Sequence, residues 1–114
     1  MQSFMRMQLL DFLSKLNVTL RSHDGEWYAA TAPIYNHLGV DKSHANRRMR
    51  KYGNLSVNIK NKRFIRLEYI PWHLANLYGH HTLPDETQQR IADLLNHWGI
   101  PVPQLQGVFD KRNT

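Results

Sequence analysis

Two short stretches of alternating apolar and polar residues, each with a turn signal at its centre, interrupt a chain whose other apolar residues are spaced for helices. That pattern restricts the fold to a mixed α+β class. In the first stretch, Asn17 to Arg21 (NVTLR) reads as a strand, with Val18 and Leu20 alternating against polar neighbours. Asp24-Gly25 is a strong two-residue hairpin signal, and Glu26-Trp27-Tyr28-Ala29 is the expected return strand. In the second, Leu55, Val57 and Ile59 alternate with Ser56 and Asn58, and Ile65, Leu67 and Tyr69 alternate with Arg66 and Glu68. The turn between them is Lys60-Asn61-Lys62-Arg63.

The helical segments fall around these hairpins. Leu9, Phe12, Leu13 and Leu16 recur at helical spacing and predict an amphipathic first helix, whose stripe is a core face or a dimer contact. Thr31 is the expected N-cap of a short helix with Pro33 in its first turn, and Gly39 suits the left-handed residue that follows Leu38. Asp41 or Ser43 then caps a helix ending near Gly53. Pro71 opens a helix that runs to Gly79. Pro84 begins the last one, in which Ile91, Leu94, Leu95 and Trp98 form a single apolar stripe, and Asp85 with Gln88 is placed for a variant capping box. A helix-turn-helix followed by a basic-tipped hairpin is the order of a winged helix-turn-helix. The expected architecture is therefore α+β, one small domain over residues 1–100, with two short β-hairpins, further packed helices and a Pro-containing tail over 101–114. The aromatics Trp27, Tyr28, Tyr35, Phe64, Tyr69, Trp72, Tyr78 and Trp98 mostly coincide with core faces; Tyr52 is placed either to stack on a base or to pack under the hairpin.

Composition removes several classes of function. The chain of 114 residues has no cysteine, so disulfides, cysteine nucleophiles and Cys-based zinc sites are excluded, which fits a reducing cytoplasm. The N-terminal MQSFMRMQLLDFLSKL is broken by Asp11 and Lys15 and does not read as a secretory signal, and no apolar run approaches membrane-spanning length. There is no nucleophile elbow, phosphate-binding Gly loop, paired catalytic carboxylate or HExxH pattern. Among the seven histidines, His80-His81 are adjacent in a loop where side chains diverge. His37 and His44 flank the Gly39 turn with only Asp41 as a nearby carboxylate. His73 and His97 lie on or beside apolar helix faces. No enzyme, metal or cofactor is expected.

What remains is charge. Nine of the fifteen Lys and Arg residues lie between Lys42 and Arg66, a window that contains no Asp or Glu. A single-sign field this concentrated recruits a polyanion or an acidic protein surface. The expected binding residues are Lys42, Asn46, Arg47, Arg48, Arg50 and Lys51 on the helix, with Lys60, Lys62 and Arg63 on the hairpin. On DNA the cations neutralise phosphates. Arg47, Arg48 or Arg50 is then placed for a guanine edge and Asn46 for an adenine edge, should the helix enter a major groove.

The segment LNVTLRSHDGEWYAATAPIYNHLGVDKSHANRRMRKYG resembles the N-terminal domain of tailed-phage antirepressors, which is related to the BRO-N group. In that family a hairpin with an aromatic second strand leads to an apolar helix, a Leu-Gly-hydrophobic-Asp turn and a basic helix. Gly25, Tyr28, Pro33, Ile34, Leu38, Gly39, Val40, Asp41, Arg47 and Arg48 stand at those places here. RLEYIPWHLANL is similar to the family's strand running into a Trp-led helix, with Pro71-Trp72-His73-Leu74 replacing a Pro-Gly-Trp-Leu-like step. LPDETQQRIADLLNHW resembles its closing helix, and the likeness spans roughly residues 16 to 98. Larger members also carry a C-terminal domain.

The resemblance implies a non-enzymatic phage or prophage regulator in the host cytoplasm, controlling lysogeny or mobile-element genes. BRO-N relatives bind DNA, whereas antirepressors proper disable a repressor protein. The expected partner is thus double-stranded DNA, with a phage repressor protein as the alternative and a host enzyme or defence complex as a third, and a homodimer is expected from the apolar stripe of residues 4 to 16.

Overall fold

The computed structural model describes residues 3–50, 55–78 and 83–100. Its elements are α1 (Ser3–Lys15), β1 (Leu20–His23), β2 (Glu26–Ala30), α2 (Ala32–Leu38), α3 (Lys42–Arg50), β3 (Ser56–Ile59), β4 (Lys62–Arg66), α4 (Ile70–Tyr78) and α5 (Asp85–His97). The class is α+β, as the alternation of helical and hairpin patterns predicts. The expected ends of two helices, at Gly53 and Gly79, fall outside the described residues, as do Lys51, Tyr52, His80, His81 and the tail from Pro101.

The two hairpins join into one antiparallel sheet of order β1-β2-β4-β3. The seam is the β2–β4 pairing, which sets Tyr28 opposite Arg66, Ala29 opposite Ile65 and Ala30 opposite Phe64. Alternation sends these pairs to opposite faces. Ala29 and Ile65 enter the main core with Leu9 and Leu13 of α1, Ile34, Tyr35 and Leu38 of α2, Leu74 and Leu77 of α4, and Ile91, Leu95 and Trp98 at α5. Tyr28, Ala30 and Phe64 form a smaller buried cluster on the other face, with Val18, Val57 and Ile59 packed against it.

Local turn chemistry is in place at both hairpins. Asp24 and Gly25 have φ of 52° and 80°, and Lys60 and Asn61 have φ of 51° and 66°, so each hairpin closes through two left-handed residues. The second turn is therefore Lys60-Asn61 alone. Lys62 and Arg63, expected in the turn, already belong to β4, paired with Ile59 and Asn58.

Two other boundaries and one helix cap differ from the sequence reading. The strand expected over 17–21 begins only at Leu20, because Asn17 (φ 55°) and Val18 close α1: the Val18 N–H donates to the Leu13 carbonyl at 3.0 Å. The strand expected through Tyr69 ends at Arg66, and Leu67–Tyr69 form a 3₁₀ turn leading into α4. Leu67, Ile70 and Leu74 are all buried, an i, i+3, i+7 series that a helical path satisfies and a strand does not. Gln88 makes no capping box with Asp85; its side chain donates to the Leu83 carbonyl at 3.1 Å.

Gly39 is the left-handed C-cap of α2, and its N–H donates to the Tyr35 carbonyl at 2.8 Å. A Cβ there would stand 3.2 Å from Thr87 Oγ1, whose hydroxyl donates to the Gly39 carbonyl, so α5 packs directly on this turn. Asp41 caps α3 by accepting the Ser43 N–H at 3.1 Å. Thr31 precedes α2 as expected but makes no cap with its side chain. Its N–H and hydroxyl both donate to the Arg63 carbonyl, at 3.1 and 3.2 Å, fastening the start of α2 to β4.

Candidate functional site

The helix α3 divides its residues by turn position. Ala45 and Met49 are buried in the core. Ser43, Asn46, Arg47 and Arg50, at i, i+3, i+4 and i+7, lie on the opposite stripe and line an open groove of about 560 Å³. The facing wall is the second hairpin. Asn58 and Arg63 are a cross-strand pair lying beyond Ser56 and Ile65 on the same sheet face, so they project past the end of the core toward the helix. Lys42, the first residue of α3, closes one side. Among the described residues, every lining residue is Lys, Arg, Asn or Ser.

Electrostatically the groove is uncompensated. Among the described residues, Lys42, Arg47, Arg50, Lys60, Lys62 and Arg63 form no ion pair. Arg66, the ninth cation of the basic window, is spent elsewhere: its Nη2 lies 3.2 Å from both Glu26 and Glu68, and its guanidinium sits 5.2 Å from the Tyr69 ring centre. Among the described residues of the window, carboxylates thus reach only Arg66, away from the groove.

The structure does not bring all the sequence-predicted residues together. Lys42, Asn46, Arg47, Arg50 and Arg63 line the groove. Lys60 stands on the exposed hairpin tip, and Lys62 faces the opposite side of the sheet, with Phe64. Lys51 lies outside the described residues. Arg48 sits elsewhere. Its Nε and Nη2 donate to Asn76 Oδ1 of α4 at 3.1 and 2.7 Å, so its fork is committed to packing. Asn46 is half-buried, and its Oδ1 takes no hydrogen bond from the described residues and no solvent contact. A two-point contact to adenine needs both ends of that carboxamide, so Asn46 reaches a base edge only after its side chain turns.

Arg48 belongs to a polar cluster that the sequence did not announce. Tyr35 Oη lies 2.8 Å from His73 Nε2, and its hydroxyl also points at Met49 Sδ, 4.0 Å away. His73 is buried, and that burial, aided by the positive charge of Arg48, pushes its pKa down to about 4. The cluster locks α3 to α2 and α4, and so fixes the direction in which Arg47 and Arg50 point. A signal was present: Arg48 lies three residues after Ala45, on the flank of the inward stripe. Arg48→Ala is expected to lower the unfolding free energy by about 2 kcal/mol, since it removes charge-assisted hydrogen bonds from a half-buried site. The salt dependence of ligand binding should stay as in the wild type. Urea unfolding beside a salt titration checks both.

The aromatics divide as well. Tyr28, Tyr35, Phe64 and Trp98 are buried, whereas Trp27 and Trp72 are 49% and 46% exposed, so these two do not serve as core. Both large rings are accessible, yet neither lines the groove. No helix among the described residues is long and apolar enough to cross a membrane. Comparison of the chain with protein-family models, with curated proteins and with solved structures finds no match.

Proposed function

We propose that this protein is a non-enzymatic transcriptional regulator of the phage or prophage type, acting in the host cytoplasm by gripping duplex DNA in the groove between α3 and the second hairpin. The observation that carries the reading is the lining of that groove, which among the described residues is entirely cationic or amide and hydroxyl, with no carboxylate. Such a surface matches a phosphate backbone: Lys and Arg displace condensed counterions, while Ser and Asn supply short-range donors. Arg47 and Arg50, one turn apart on the exposed stripe, are the residues placed to approach base edges, and Lys42, Lys60 and Arg63 position the backbone.

The test is a gel-shift titration with short duplexes. Replacing Arg47 and Arg50 together by Ala should weaken binding at least tenfold. Arg90→Ala, which removes a charge already paired with Glu86 at 2.7 Å, should leave binding unchanged. Equal losses in the two variants would mean that only net charge matters, and the groove assignment would fall. Release of a repressor from its operator by a protein that binds naked DNA weakly would favour the antirepressor alternative.

The same reading includes a homodimer. Phe4 and Met7 on α1 are 60% and 70% exposed, and a second copy would cover them. Sedimentation should show a dimer in the wild type and a monomer after Met7→Glu; a wild-type monomer across a wide concentration range would end the idea.

A further inference from the structure

A second recess adjoins the groove and differs from it in chemistry. It is a half-enclosed cavity of about 300 Å³, at the small end of ligand-sized pockets. Ala30 and Phe64, neighbours across the β2–β4 seam, and Pro33 of α2 supply apolar wall. The hydroxyl of Thr31 also faces the recess, but its proton is already donated to the Arg63 carbonyl. The rim carries Arg21 and Lys62 from the sheet, with Lys42 and Arg63, and no carboxylate among the described residues. Lys42 and Arg63 line the groove as well, so the two sites adjoin.

An apolar slot with a cationic rim, adjoining the groove, fits one chemical group: a nucleobase whose own backbone phosphates remain on the rim. Its walls offer few hydrogen-bonding groups, so the base is held by dispersion against Ala30, Pro33 and the edge of Phe64, which any base can supply. A base paired within a duplex cannot enter, because its faces are covered by its neighbours in the stack. We propose that this pocket captures an unpaired nucleotide extruded from a helix bound in the groove, so that the protein prefers DNA carrying an unpaired or unstacked base over fully paired DNA. This inference rests on the DNA-binding reading and adds the ligand's state to it.

The experiment compares three oligonucleotides by fluorescence polarisation: a paired duplex, the same duplex with one bulged adenine, and the same with an abasic residue at the bulge. The wild type should bind the adenine bulge about tenfold more tightly than the paired duplex. The abasic bulge should return to the paired value, since bending alone gives no occupant for the pocket. Two variants assign the gain to the recess. Ala32→Phe fills it from the first residue of α2, and Arg21→Ala removes a rim cation from the exposed strand β1; Arg21 lines this pocket but not the groove. Both should abolish or sharply reduce the bulge preference while keeping paired-duplex affinity, and Arg21→Ala keeps the test alive should Ala32→Phe fail to fold. Equal binding of bulged and paired duplexes would overturn the inference, leave the duplex-binding reading standing, and turn the pocket toward a side chain of a protein partner. A preference that survives both variants would overturn it too. Absence of salt-dependent binding to any of the three would remove both readings together.

Discussion

Raising the salt concentration from 50 to 200 mM is expected to weaken DNA binding by about a thousandfold. The expectation follows from counting cations on the groove side or hairpin that, among the described residues, are held by no carboxylate: the exposed Lys42, Arg47, Arg50, Lys60 and Lys62 and the half-buried Arg63. If each meets one phosphate, six contacts give a log-log slope of about −5, at roughly −0.9 per contact. A fourfold rise in salt then costs on the order of 10³ in affinity. Arg48 and Arg66 are left out of the count because Asn76 and the pair Glu26 and Glu68 already hold them. Lys62→Ala should reduce the slope by about one and weaken all sequences alike. Arg47→Ala should instead cost on the order of 1–3 kcal/mol at a preferred site and relax one base position, if its fork reads a guanine edge. A measured slope shallower than about −2 would mean that most of these cations never touch phosphate, and the basic face would be a solvated surface.

The parts of this fold legible in the sequence are those set by local chemistry. Asp24-Gly25 dictates a hairpin because two successive left-handed residues match the twist of the strands, and both turns adopt that geometry. The last helix is equally local, with its acidic first turn and its stripe of Ile91, Leu94, Leu95 and Trp98, all buried but the half-buried Leu94. The union of the two hairpins is not local. Ala30 and Phe64 pair across more than thirty residues, and nothing in either alternating stretch says which of its edges will be covered. The candidate site shows the same division. A run of basic residues reads as one surface, but a helix turns 100° per residue, so Arg47 and Arg50 face out while Arg48 faces α4. The 3.6-residue period set by Ala45 and Met49 contains that answer; the identity of Asn76 as the partner does not follow from any spacing. The apolar alternation of Ile65, Leu67 and Tyr69 misleads for a related reason. Leu67 serves equally as the start of an i, i+3, i+7 helical series, and the packing of α4 decides which period wins.

Lowering the pH from 6.5 to 4 is expected to remove about 3 kcal/mol of stability through His73 alone. The residue is 2% exposed on α4, with Nε2 held 2.8 Å from the Tyr35 hydroxyl, and burial followed by the positive charge of Arg48 pushes its pKa down to about 4. In the unfolded chain the same imidazole titrates near 6.5. Between those values the unfolded state binds a proton that the folded state refuses, so the unfolded state gains by about 1.4 kcal/mol for each unit of acidification. The contribution is fully present above pH 6.5, is lost progressively as the pH falls through the window, and changes no further below about 4. Carboxylates titrate in the lower half of the same window, so wild type and His73→Gln must be compared. Glutamine can keep a hydrogen bond to Tyr35 without taking up a proton. Urea unfolding at pH 4.5, 5.5 and 7.5 should show the wild type losing stability more steeply than the variant, and parallel curves would mean that His73 is not held neutral by its surroundings. The effect reaches the groove through Arg48 and Met49, which contact the same cluster from α3. Protonating His73 places a second positive charge beside Arg48 in a buried site, and the helix that presents Arg47 and Arg50 is the element with the most to lose from that repulsion.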